Sequence, residues 1–139
     1  MNDKGALFAA YIACRYKGCL GLFTGEKLQA YEDVDQHHIF PRSRFAADTH
    51  GDGRISRRDS DNIANIAFIK GDANRKLGDE PPSVYLAGID KKRLESQCIP
   101  LDKELWAMEN AEAFWVARRA LLAEAFNEFV QKKLPNHRW

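Results

Sequence analysis

Over residues 4–17 apolar side chains recur at helical spacing. Leu7, Tyr11 and Cys14 fall on one face, with Phe8, Ile12 and Arg15 beside it, and this predicts an amphipathic helix. Gly18 and Gly21 end the pattern, and Thr24-Gly25-Glu26 reads as a turn. From Asp33 to Phe40 polar and apolar residues alternate at close to strand spacing, with Val34 and the Ile39-Phe40 pair supplying β character. Pro41 ends this strand because it has no N–H to give to a ladder. Residues 42–60 are charged, contain Gly51 and Gly53 and follow no period. They read as a long loop, and long loops in compact domains are more often functional than decorative.

Ile63 to Ile69 is a short apolar run that periodicity alone cannot divide between strand and buried helix, although its length and three isoleucines favour a strand. Asp72 is a candidate N-cap for a helical turn over 73–77, which Gly78 stops. Pro81-Pro82-Ser83 opens another short helix through Leu86, since proline suits a first turn. Residues 90–97 form a further short helix ended by Pro100. From Asp102 to Leu134 there is neither Gly nor Pro, and Met108, Trp115, Leu122 and Phe129 recur every seven residues, with Leu105 and Phe126 on the same side. This is one long amphipathic helix, or two joined near Asn110, packing on the first helix. The fold class that follows is α+β and mostly helical.

At 139 residues, with 45% hydrophobic and 29% charged residues, the chain suits one globular domain that needs no disulfide staples. The net charge is only +1, but between Pro41 and Lys76 eight Lys or Arg face five Asp, so that stretch carries +3 and the remainder −2. A local basic patch can hold phosphates without a basic protein around it. Cys14, Cys19 and Cys98 form no CxxC and are odd in number, so a reducing, cytoplasmic setting is expected. The apolar stretch from Ala6 to Cys14 falls short of the roughly 20 residues that span a bilayer, and no cleavage signal follows it. No membrane partner is expected.

The chemistry concentrates in Asp35-Gln36-His37-His38-Ile39-Phe40-Pro41. Two adjacent histidines can serve a metal, a proton transfer, or both, because the imidazole titrates near neutrality. Neighbours on a regular strand point to opposite faces, so the pair shares a site only where the strand ends or bends, as Pro41 encourages. Asn74 stands between Asp72 and Arg75-Lys76. It is either a helix-start asparagine or a hard neutral ligand for Mg²⁺ or Mn²⁺. Asn65, inside an apolar strand, must be tied down by hydrogen bonds if buried.

The order of Asp33-Val34-Asp35-Gln36-His37-His38-Ile39-Phe40-Pro41-Arg42-Ser43, then Asn62-Ile63-Ala64-Asn65-Ile66, then Asp72-Ala73-Asn74-Arg75-Lys76 resembles the ββα-metal core of HNH endonucleases, including the HNH domain of RNA-guided CRISPR effectors. It more closely resembles the HNH module that follows a DUF262-type NTPase domain in modification-dependent restriction and phage-defence proteins of the GmrSD kind. There the likeness extends through Lys76-Leu77-Gly78-Asp79-Glu80-Pro81-Pro82-Ser83-Val84-Tyr85-Leu86 and, less specifically, to Arg118-Arg119-Ala120-Leu121-Leu122-Ala123-Glu124. The resemblance implies a ββα-metal hairpin-helix core over 31–86. The N-terminal helix and turn (1–30) and the C-terminal helices (87–139) would flank it within one nuclease domain.

It further implies metal-dependent hydrolysis of DNA phosphodiester bonds in restriction or phage defence. His38 would be the general base and Asn65 would hold the histidine loop. His37 and Asn74 would be metal ligands, and Arg42, Arg44, Arg75 and Lys76 candidate phosphate contacts. Asn74 stands where the bacteriocin branch has a histidine, which favours Mg²⁺ or Mn²⁺, while the imidazole at 37 leaves Zn²⁺ or Ni²⁺ open. Partners would be DNA and either an NTPase or sensor domain of a larger protein or a second copy. The alternative is a catalytically silent DNA- or protein-binding module on the same scaffold. A structural zinc site of His37, His38 and Cys98 is disfavoured, because such a site wants four closed ligands.

Overall fold

The computed structural model describes residues 4–28, 34–47, 54–71 and 78–133. Among them the chain is mixed α+β and mostly helical, with one two-stranded antiparallel sheet. Helix α1 spans Lys4–Tyr16, strand β1 Val34–His38 and strand β2 Ile66–Lys70. Helix α2 spans Pro82–Tyr85, α3 Lys91–Ser96 and α4 Ala111–Lys133. The helical turn expected at 73–77 lies outside the described residues.

β2 organises the interior. Its first four residues are buried, which explains the unbroken apolar run in the sequence, since a strand covered on both faces has no polar side to alternate with. The period-2 pleat then sends its side chains into two cores. Ala67 and Ile69 join Leu22, Ile39, Phe40, Leu86, Phe114 and Trp115 in one. Ile66 and Phe68 join Tyr11, Cys14, Leu122 and Ala125 in the other. The second core is where α1 meets α4, and Ala10, Ala13 and Cys14 on α1 are small enough for close approach.

The strand starts later than the apolar run does. Residues 63–65 form a 3-10 turn, with the Asn62 side chain accepting from Ala64 N at 3.0 Å. Local capping thus wins over β propensity for three residues. Asn65 therefore sits in that turn and not mid-strand. The long C-terminal helix is likewise divided. Two 3-10 turns, Lys103–Trp106 and Met108–Asn110, precede α4, so the segment is two short turns and one helix in place of one helix or two joined near Asn110.

The far edge of β2 is closed by a side chain. Gln97 is fully buried. Its Oε1 accepts from Phe68 N at 3.1 Å, and its Nε2 donates to Phe68 O and to Leu20 O, each at 2.8 Å. Leu20 pairs with Lys27 across a tight turn, where Gly25 has φ +73° and a Cβ on Gly21 would lie 2.8 Å from Thr24 Oγ1. Glycine is favoured at 25 by the positive φ, while a side chain at 21 would displace the Thr24 hydroxyl.

Arg118 on α4 is fully buried. Nη1 donates to Ile66 O at 2.7 Å, Ala64 O at 3.0 Å and Ile63 O at 3.3 Å, while Nε and Nη2 reach Gln97 O at 3.2 and 3.0 Å. Buried cations persist only when their donors are satisfied, and here the backbone of the 63–66 turn supplies the acceptors. Burial lowers the Arg118 pKa. No described helix is long and apolar enough to cross a membrane.

Candidate active site

β1 ends at His38, and this is what lets two adjacent histidines share a site. In the register His37 lies opposite Ala67 and His38 opposite Ile66, residues that feed different cores. On a continuing strand the two rings would diverge. Both nevertheless line one cleft of about 260 Å³, together with Phe23, Pro41, Arg42 and Tyr85.

His37 packs in an aromatic corner, 4.8 Å from the Phe23 ring and 5.6 Å from the Tyr85 ring, edge-on to both. Its Nε2 lies 3.1 Å from Tyr85 Oη, and Tyr85 donates to Ile39 O. Because the phenol proton is committed to that carbonyl, the protons are assigned with Nε2–H on His37 donating to Tyr85. Nδ1 is then the nitrogen that keeps its lone pair. Burial, followed by the neighbouring His38 charge, lowers the His37 pKa to about 4, so the ring is neutral at ordinary pH. Burial pushes the Tyr85 phenol up, which keeps it protonated.

His38 has a different partner. Its Nε2 is 2.9 Å from Asp61 Oδ1, and Arg42 Nε donates to the same oxygen at 3.1 Å. A carboxylate only accepts, so Nε2 carries a proton, and in the neutral ring Nδ1 is the nitrogen with the lone pair. Asp61 comes from a 3-10 turn, Asp59–Asp61, within a stretch that shows no periodicity in the sequence.

Asn65 joins these segments. Its Oδ1 accepts from Phe40 N at 2.8 Å, and its Nδ2 donates to Phe40 O at 3.0 Å and Ser60 O at 2.8 Å. Its own carbonyl accepts from Ile39 N at 2.7 Å. One fully buried carboxamide thus holds the backbone just after His38 to the backbone just before Asp61. The expectation that Asn65 must be tied down is met in its hydrogen bonding.

Of the candidate phosphate contacts, Arg42 lines the cleft, and Arg44 Nε donates to Asp79 O at 2.5 Å. Asn74, Arg75 and Lys76 lie outside the described residues. Among the described residues no three His, Cys, Asp or Glu side chains gather as a metal group. Cys98 is in the α1–α4 core beside Cys14 and not in the cleft. Asp61, Tyr85 and Phe23 received no role from the sequence. Tyr85 stood in the Pro81-Pro82-Ser83-Val84-Tyr85 run without one, and Asp61 lies 23 residues from His38 with no sequence signal linking them.

Comparison with protein-family models, with curated proteins and with solved structures finds no match to this chain.

Proposed function

We propose that the chain is a metal-dependent endonuclease module of the HNH kind that hydrolyses DNA phosphodiester bonds, with His38 as the general base. The observation that carries this reading is the pairing in one cleft of a neutral, partly buried imidazole, His37, with a second imidazole, His38, whose Nε2–H is taken by a carboxylate.

Hydrolysis of a phosphodiester needs a proton acceptor for water and neutralisation of charge at the phosphate. In the proposed reaction Nδ1 of His38 takes a proton from water as the oxygen attacks phosphorus, and the bond to the leaving 3′ oxygen breaks. Asp61 holds the opposite edge of the ring throughout and faces the imidazolium that results. Asn65 keeps the His38 backbone and the Asp61 turn in register. Arg42 lies at the cleft wall, suited to a non-bridging phosphate oxygen.

His37, through Nδ1, and Asn74 would hold a divalent cation, Mg²⁺ or Mn²⁺. The donor chemistry fits, because His37 keeps a lone pair at ordinary pH and a carboxamide oxygen is a hard neutral ligand. Gly78 lines the cleft, and the four residues back to Asn74 span at most about 14 Å. When bound, the cation supplies charge neutralisation at the scissile phosphate. The finer fold reading, a ββα-metal core, belongs to the same proposal. It is supported by the antiparallel β1–β2 pair that carries the histidines.

Nicking of a supercoiled plasmid, with Mg²⁺ or Mn²⁺ and with EDTA, tests the reading. Cleavage is expected with metal and not with chelator. His38→Ala is expected to lose about 10² to 10⁴ in rate while retaining its fold. Wild-type cleavage by that variant, or none by the native protein with any divalent ion, would sink the proposal and leave a silent binding module.

A further inference from the structure

A second polar concavity opens against the Asp59–Asp61 turn. It has a volume of about 490 Å³ and is lined by Arg54, Arg58 and Arg119, with Asn62, Trp115 and Val116. The turn therefore has two faces. Asp61 bonds His38, while Arg58 and Asp59, just before it, line the second pocket.

We propose that this pocket seats a backbone phosphate of the same nucleic-acid strand whose scissile bond lies in the His38 cleft. The identity of the polymer rests on the nuclease reading. The pocket itself rests on its own chemistry. Guanidinium groups present planar sets of donors that match phosphate oxygens, and arginines from two separate segments converge on one space. Arg119 Nη2 lies 3.4 Å from Asn62 Oδ1, on the pocket wall. Trp115 lines the pocket with part of its otherwise buried ring. Val116, on the same wall, is 64% exposed, an apolar contact suited to a sugar face.

The charge balance favours a polymer over a free anion. Asp59 and Glu112 also line the pocket, and the Asp59 carboxylate is occupied in part by Ser56 N at 2.9 Å. Among the described lining residues three guanidinium groups stand against two carboxylates, a small positive excess. That is too little to hold a lone phosphate tightly, yet it is enough for one contact along a polyanion bound elsewhere as well.

The test is fluorescence anisotropy of a labelled DNA duplex in EDTA, over a range of salt, with wild-type protein and an Arg58→Gln/Arg119→Gln double variant. Circular dichroism checks the fold of the variant. The double variant is expected to bind about ten-fold more weakly, with a log–log salt slope shallower by about 1, the change for one lost phosphate contact. Val116→Glu, an exposed substitution that adds negative charge to the same wall, is expected to weaken binding in the same direction and guards against a folding artefact. Unchanged affinity and slope in both variants, with wild-type binding intact, overturn this inference and leave the nuclease reading standing. Failure of wild-type protein to bind duplex overturns this inference, while plasmid nicking with metal decides the nuclease reading separately. In that case, protection of wild-type protein by inorganic phosphate against thermal unfolding, lost in the double variant, would mark a small-anion site in place of the strand contact.

Discussion

His38 and Asp61 meet through a single 2.9 Å contact between Nε2 and Oδ1, and Arg42 shares the same oxygen at 3.1 Å. The contact spans 23 residues of sequence and fixes which imidazole nitrogen is free to accept a proton. A carboxylate in this position orients the ring and faces the imidazolium that forms when the ring takes a proton. Asp61→Asn removes that charge and permits the other tautomer. Cleavage by the proposed nuclease is expected to fall about 10- to 100-fold, with duplex binding in EDTA unchanged. Single-turnover cleavage alongside a binding isotherm checks this, and a variant with full activity would deny Asp61 its positioning role.

Asn65 is a clamp between two segments, and its loss should be felt first in stability. Asn65→Ala strands the buried Phe40 N–H and leaves Phe40 O and Ser60 O without their donors. At about 1–3 kcal/mol for each unsatisfied buried group, partly relieved by relaxation, a loss of about 2–4 kcal/mol in unfolding free energy is expected. Urea titration followed by tryptophan fluorescence measures it. Asn65→Asp, which keeps the acceptor for Phe40 N, should be distinguishable because it places an unpaired charge in the same site.

Arg118 should be more costly to remove than a surface arginine by a wide margin. Arg118→Met fills similar space but withdraws the donors from Ile63, Ala64, Ile66 and Gln97 carbonyls. With charge-assisted bonds contributing about 1.5–3 kcal/mol each and burial of the charge offsetting part of that, a net loss of about 3 kcal/mol is expected. Arg119→Met, one residue along on the exposed side of α4, should change stability by under about 0.5 kcal/mol. Parallel denaturant titrations of the pair decide it.

Stability should also depend on pH through His37. Its folded-state pKa is lowered from 6.5 to about 4, first by burial and then by His38. In that interval the unfolded chain binds a proton that the folded chain refuses. The contribution is therefore fully present above pH 6.5 and is lost as pH falls through about 4. Denaturation midpoints measured in EDTA across this range should decline toward acid. His37→Phe should flatten the decline, and an unaltered slope in that variant would assign the effect to other groups.

The three thiols should be silent in the native protein. Cys14, Cys19 and Cys98 are all free and buried. The Cys14 thiol is pushed up to about 12, chiefly by its contact with Cys19, and the Cys98 thiol is raised by its contact with Cys14 and by burial. Thiolate is the reactive species, so Ellman's reagent should find no fast-reacting group until guanidinium is added. Rapid reaction of one thiol in the folded state would contradict this burial.

What could be read from the sequence was local. The first helix, the strand before Pro41, the apolar run of β2 and the proline-opened helix at 82 each announce themselves within a dozen residues, through spacing or a single breaker. The histidine pair was legible too, including the need for a strand end to bring both rings to one side. The partners were not. Asp61, Tyr85, Gln97 and Arg118 act on residues 19 to 77 positions away, and periodicity carries no information about such separations. Asn65 shows both sides. Its burial and its need for partners followed from an amide among isoleucines. Its place in a 3-10 turn did not, because the Asn62 cap that delays the strand is weaker in the sequence than the apolar run it interrupts.

The Gln97 amide bears on how molecules of this protein meet one another. Exposed strand margins recruit further strands and so promote aggregation and domain exchange. At Phe68 both main-chain groups are engaged by Gln97, and Leu22 N adds a longer contact of 3.4 Å to the carbonyl. That margin of the sheet is thus sealed by an amide that imitates a peptide bond. Growth of the sheet past Phe68 first requires Gln97 to be drawn out of the interior, where its own backbone carbonyl is gripped by Arg118. Guarding of this kind keeps the β2 margin from adding a further strand at high protein concentration.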